Sequence, residues 1–174
     1  MTNNIQTIIL LTIFVPIVGS FTIPLAGLIS RRARSVWSVL LAVATSLFSL
    51  LLIPFALRGG EQVLHRTLAL GVDFTLVADA LAVFMAAASA FVGMLIVVYS
   101  LGYIAHEENQ SEYYFIVLLF IGAMMGLVFS ANLIFMYLFW EIAAIACWRL
   151  IGFYRKREYV LKADKAFLLT FFGA

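Results

Sequence analysis

The chain has 174 residues, of which 65% are hydrophobic and 11% charged, with a formal net charge of +2. Soluble domains carry about a quarter charged residues and show polar stripes at helical period, and this chain has neither. A membrane barrel is excluded too, because its strands are short and alternate polar with apolar residues.

Several apolar runs are long enough to cross a bilayer as helices, so the expected class is an all-α polytopic membrane protein. The N-terminus, Met1 to Gln6, has no positive charge, and the apolar stretch after it is too long for a signal peptide, so it reads as a retained first helix. That helix is expected over about 5–29. Pro16 and Pro24 are tolerated in it because neighbouring helices can re-satisfy the freed carbonyls. A basic cluster, Arg31, Arg32 and Arg34, precedes a second helix over about 36–57, with Trp37 at the interfacial position.

The longest polar connection runs from Arg58 to Phe74, with Gly59-Gly60 as a turn signal and Leu64 to Leu68 as a short hairpin strand. A third helix is expected over about 77–104, long enough to need tilt. After the acidic loop His106 to Glu112, with Ser111 as a cap, comes a fourth helix over about 113–129. Ser130 to Asn132 forms a tight turn into a fifth, over about 132–153. A second basic loop, Arg155, Lys156, Arg157 and Lys162, leads into an incomplete sixth over 163–174. The whole reads as one transmembrane domain, 1–174. Lys and Arg concentrate after helices one and five, so the positive-inside rule places those loops in the cytoplasm and the N-terminus outside.

Glu141 stands near the middle of the fifth helix, about 13 Å along the axis from Asn132. A carboxylate at that depth costs about 3 kcal/mol, which the surrounding large apolar residues offset. Two readings stand. Glu141 is either a neutral acid joining helices by a hydrogen bond, or a proton carrier whose affinity burial raises and a nearby cation lowers. Lys165, on the last segment, is the candidate cation reaching towards Glu141. Its neighbour Asp164 reads as interfacial.

Arg149 lies about 12 Å beyond Glu141 and about 80° round the helix, too far for contact, and reads as snorkelling beside Trp148. Asp79, at the start of the third helix, favours the helix N-terminus. His106 borders the acidic loop as a solvated histidine or a proton relay at the mouth. No phosphate-binding loop and no Cys or His set with metal spacing is present, and the single Cys147 excludes an internal disulfide. No cofactor and no metal are expected, and the chain is not expected to be catalytic by itself.

Two stretches resemble a family pattern. Asp79-Ala80-Leu81 through Tyr99-Ser100-Leu101-Gly102-Tyr103 is similar to the D-x-L…YS-x-GY signature of the antiporter-like subunits. These subunits occur in the respiratory complex I membrane arm and in Mrp-type cation/proton antiporters. Asn132-Leu133…Trp140-Glu141…Leu150-Ile151-Gly152-Phe153-Tyr154 resembles their N-L…WE…LIGFY helix, and Lys165-Ala166-Phe167 the opening of the next. Thr170-Phe171-Phe172-Gly173 looks closer to the Mrp large-subunit style.

In that family the glutamate matched by Glu141 partners a lysine on a broken helix further along. The resemblance thus implies a subunit translocating protons, or exchanging cations such as Na+ for protons, in the inner (plasma) membrane. It implies other membrane subunits as partners beside the lipid bilayer, and no nucleic acid. The competing expectation is a structural or assembly subunit, or a truncated piece of one, that does not conduct.

Overall fold

The computed structural model describes residues 2–67 and 73–173. Two antiparallel helices open the chain: α1, Thr2–Ile29, and α2, Arg31–Leu51. The turn between them is the single residue Ser30. Its hydroxyl accepts from the Ala33 N–H at 2.9 Å, capping α2 and starting it five residues before the expected Val36. In both helices hydroxyls turn back onto the helix's own carbonyls: Thr12 to Ile8 at 2.8 Å, Ser38 to Arg34 at 2.8 Å, and Thr45 to Leu41 at 2.9 Å. Polar atoms are thereby hidden from lipid. The buried face of α2 consists largely of small residues, Ser38, Ala42, Thr45, Ser46 and Ser49, so neighbouring helices approach closely.

The second span does not continue as one helix. It breaks at Leu52 and resumes as α3, Ile53–Leu57, with Pro54 in its first turn. Proline removes a helical N–H donor and crowds the preceding turn, which is the physical reason for the break.

An antiparallel hairpin follows, β1, Gln62–Thr67, and β2, Asp73–Ala78, in register from Gln62 opposite Ala78 to Thr67 opposite Asp73. The expected strand at Leu64 lies in β1, while its last residue, Leu68, is outside the described residues. The hairpin also takes the beginning of the expected third helix. Val77 and Ala78 are strand, and the helix α4 starts only at Ala80 and runs to Tyr103. Phe74, Thr75 and Val77 are strand-favouring types, and burial falls on alternate positions, with Leu76 and Ala78 inside.

Helix α5, Gln110–Phe129, is the centre of the bundle and packs on α1, α4 and α6, Leu133–Ile151. Its glycines make the close approaches possible. A Cβ on Gly126 would collide with the Phe139 ring of α6, and one on Gly122 would meet Ile17 and the Ile13 carbonyl of α1. The last helix, α7, Arg157–Gly173, begins six residues before the expected Ala163 and packs on α6. Ala174 lies outside the described residues.

Two core clusters result. One, at the hairpin end, gathers Ile9, Leu52, Leu76, Val83, Met125 and Phe139. The other, at the basic end, gathers Ile23, Leu41, Val97, Tyr114 and Leu118. Five helical stretches are long and apolar enough to span a membrane: Asn4–Ile29, Arg31–Leu57, Ala80–Tyr103, Gln110–Phe129 and Leu133–Ile151. The fold is an all-α polytopic membrane bundle with one small hairpin at one end.

Candidate ion-translocation site

The site is built on α6, and its start is fixed by Asn132. The Asn132 Oδ1 accepts from the Ile134 N–H at 2.8 Å, capping the helix, while its Nδ2 donates to the Asp73 carbonyl of β2 at 2.8 Å. The Ala131 N–H donates to the Thr75 carbonyl at 3.0 Å, so the α5–α6 turn and the hairpin are joined through backbone as well. From there α6 runs with Phe139, Ala143 and Ala146 turned inward.

Glu141 sits two residues after Phe139, near the centre of the helix, and is half-buried. Its Oε1 is sealed from solvent and has no hydrogen-bond partner among the described residues. The Tyr137 hydroxyl, one turn earlier, interacts with the carboxylate. Leaving a buried carboxylate oxygen unpaired costs about 1–3 kcal/mol or more, so this side chain is only partly accommodated by its own chain.

The other candidates fall elsewhere. Lys165 is exposed on α7 and makes no ion pair among the described residues, so it is not brought to Glu141. The residue beside it decides this. Asp164 accepts from Trp148 Nε1 at 2.8 Å, facing α6, and the next residue on a helix points about 100° away.

Arg149 is not simply snorkelling. Its Nε donates to Glu112 Oε1 at 2.5 Å, while Arg155 donates to Glu112 Oε2 at 2.9 Å. Asp79 caps α4, accepting from the Ala82 N–H at 2.7 Å. His106 is exposed in the turn after α4.

The sequence reading missed Glu112 as a partner for Arg149. The signal was there: a carboxylate in the first turn of α5 and a cation in the last turn of α6, two antiparallel helices joined by a short turn, must share one end. Each charge also complements its own helix dipole.

The two motif stretches meet at the same end. The Tyr103 and Tyr154 hydroxyls are 2.8 Å apart, and Ser100 lies 2.8 Å from the Tyr113 hydroxyl. The bond from Tyr103, with lesser help from burial, pushes the Tyr154 phenol up to about 12.

Two apolar cavities flank this region. One of about 440 Å³ lies among α4, α5 and α6, beside Ser89, Gly93, Tyr113 and Leu150. The other, about 370 Å³, lies among α5, α6 and α7, beside Trp140, Ala144, Cys147 and Thr170. Glu141 lines neither of them.

A bundle of helices long and apolar enough to span a membrane defines a polytopic membrane protein, and one oxygen of the Glu141 carboxylate is buried and unpaired near the centre of α6. Residues 66–114 match the family described as NADH-Ubiquinone oxidoreductase (complex I), chain 5 N-terminus. The chain is 31% identical over 167 residues to the Na(+)/H(+) antiporter subunit A1 of Staphylococcus aureus strain JH9, a match covering 94% of this chain and 21% of that protein. The figures for strain Newman are the same. The chain thus spans about a fifth of the length of the curated relatives it matches.

A solved chain of the membrane-bound sulfane sulfur reductase, an archaeal respiratory membrane complex, is similar with a TM-score of 0.83. That match is 18% identical and covers 92% of this chain and 33% of the other, a likeness of fold alone. The chain is thus similar, over nearly its whole length, to antiporter-like membrane subunits of the complex I and Mrp type.

Proposed function

We infer that the chain forms part of a proton-translocating or cation/proton-exchanging subunit of a multisubunit plasma-membrane complex, with Glu141 as its midplane carboxylate. The single observation that carries the reading is the buried Oε1 of Glu141, halfway along a spanning helix and without a donor. An oxygen in that state is satisfied either by a proton of its own or by a group brought from outside the chain, and alternating between the two is what a translocation site requires. The sequence relatives support the transport class, since those named are Na(+)/H(+) antiporter subunits.

α6 also presents a large apolar surface, with Leu133, Ile134, Leu138, Trp140 and Ile145 exposed. That face suits lipid and further membrane subunits, one of which would supply the cation that Lys165 does not. In this reading the basic loops face the cytoplasm and the N-terminus lies outside.

The competing reading is a non-conducting scaffold, favoured by the lack of an ion pair to Glu141 among the described residues. Glu141→Gln in the assembled complex separates the two. Gln keeps the shape and hydrogen-bonding ends but cannot release a proton. Translocation by reconstituted vesicles, followed with a pH-sensitive dye, should fall at least about tenfold while the abundance of the complex is unchanged. Normal transport by the variant would leave the scaffold in front.

A further inference from the structure

A second cluster of charge lies far from Glu141, at the basic end of the bundle. A groove of about 520 Å³ runs between α2 and α4, floored by Val36, Val39, Leu40 and Leu101. Its head is polar, with Arg31 and Arg32 on one side and Gln110 with the buried Tyr114 on the other. Both arginines are exposed, and neither makes an ion pair among the described residues.

Behind them Arg34 is only 5% exposed. The groups that accept its hydrogen bonds, Ser111 and Gln110, are both neutral, and its Nε is buried without a partner. No carboxylate forms an ion pair with it among the described residues. Three guanidiniums within about one helical turn therefore stand without a counter-ion from the described residues, and one of them is out of water. Such a charge is costly unless something outside the chain compensates it.

The groove's shape says what that something is. A free phosphate would answer the guanidiniums and leave the aliphatic floor wet. A zwitterionic lipid would cover the floor and bring its own cation to the arginines. An acidic phospholipid fits both parts, and the groove lies where its headgroup would be, at the end of two spans. Trp37, whose indole N–H donates to Thr22 at 2.7 Å, occupies the same level, the depth at which interfacial aromatics collect.

We propose that this groove binds one acidic phospholipid, its phosphate held by Arg31 and Arg32 and an acyl chain laid along Val36, Leu40 and Leu101. The site neutralises the face behind which Arg34 is buried, and it is independent of ion translocation at Glu141.

The test uses the membrane complex that contains this chain, reconstituted in vesicles of phosphatidylcholine and phosphatidylglycerol, with one or the other carrying a photoreactive acyl chain. Photoreactive phosphatidylglycerol should attach to the peptides containing Leu40 and Leu101, and photoreactive phosphatidylcholine far less. Arg31→Gln with Arg32→Gln should lower that labelling about thirtyfold, at about 1 kcal/mol per basic residue beside anionic lipid. Arg31→Lys with Arg32→Lys keeps the charge needed for insertion and should retain most of the labelling. Leu101→Trp leaves every charge in place and should block labelling by filling the floor. Equal labelling by the two lipids, parental labelling of the glutamine variant, displacement by inorganic phosphate, or a protein cross-linked at Leu101 in the lipid's place would each overturn the proposal.

Discussion

Arg149 in the last turn of α6 donates to Glu112 in the first turn of α5, and Arg155 takes the other oxygen of the same carboxylate. The Arg149 and Glu112 side chains are 28% and 27% exposed, so this pair is partly withdrawn from water, while Arg155 at 57% is not. Exposed pairs contribute at most about 1 kcal/mol and buried ones cost several when broken. Arg149→Met should therefore destabilise the bundle by about 1–2 kcal/mol, with Arg155→Met costing less, and Glu112→Gln should exceed both because it leaves two cations facing each other. Steric trapping in bicelles measures all three, and equal losses for Arg149 and Arg155 would show that burial does not matter here.

Gly126 and Phe139 fit only because Gly126 has no Cβ, the ring occupying that space. Gly126→Ala should cost about 1–3 kcal/mol by overpacking. Combining it with Phe139→Leu should recover part of that loss, since the smaller side chain vacates the position. A double variant less stable than the sum of the two single changes would contradict the steric account.

Asn132 has two separable tasks, and two substitutions divide them. Asn132→Asp keeps the oxygen that caps α6 but removes the donor to the Asp73 carbonyl. It should leave α6 intact and weaken hydrogen-exchange protection of the β2 amides. Asn132→Ala loses both and should cost about 1 kcal/mol more, the usual worth of an N-cap. Parental exchange of the β2 amides in both variants would mean that the hairpin does not depend on this side chain.

Orientation is open to direct measurement in a Cys147→Ser background. A cysteine at His106, exposed after α4, should be shielded from an impermeant thiol reagent added to intact cells. One at Glu61, exposed before β1, should react. The reverse pattern would invert the positive-inside assignment.

The spans were legible in the sequence because an uninterrupted apolar run of about twenty residues has few other stable outcomes in a chain this hydrophobic. Glu141 stood out for the same reason, as an expensive exception inside such a run. The ends of the elements were harder to read. Only Asp79 separates Phe74 to Ala78 from the apolar run of α4, and periodicity over so short a stretch cannot distinguish a buried strand from the start of the helix. Asp79 was legible as favouring the helix N-terminus, yet the helix was expected two residues earlier, from Val77, where the chain is still strand. The direction of Lys165 was not legible either, because it is set by the contact of Asp164 with Trp148, sixteen residues apart.

Helix α6 is fastened at both extremities. Asn132 and Ala131 bolt one end to the hairpin, and Arg149 clamps the other to Glu112. A rod held at both ends can neither slide along its axis nor turn freely about it, so Glu141 keeps a constant height and heading within the bundle. Any switching of its surroundings must then be performed by the neighbours, which approach or retreat from a stationary carboxylate. Under the proposed function, the moving part is to be sought in whatever packs against the open side of α6, with this chain as the fixed part.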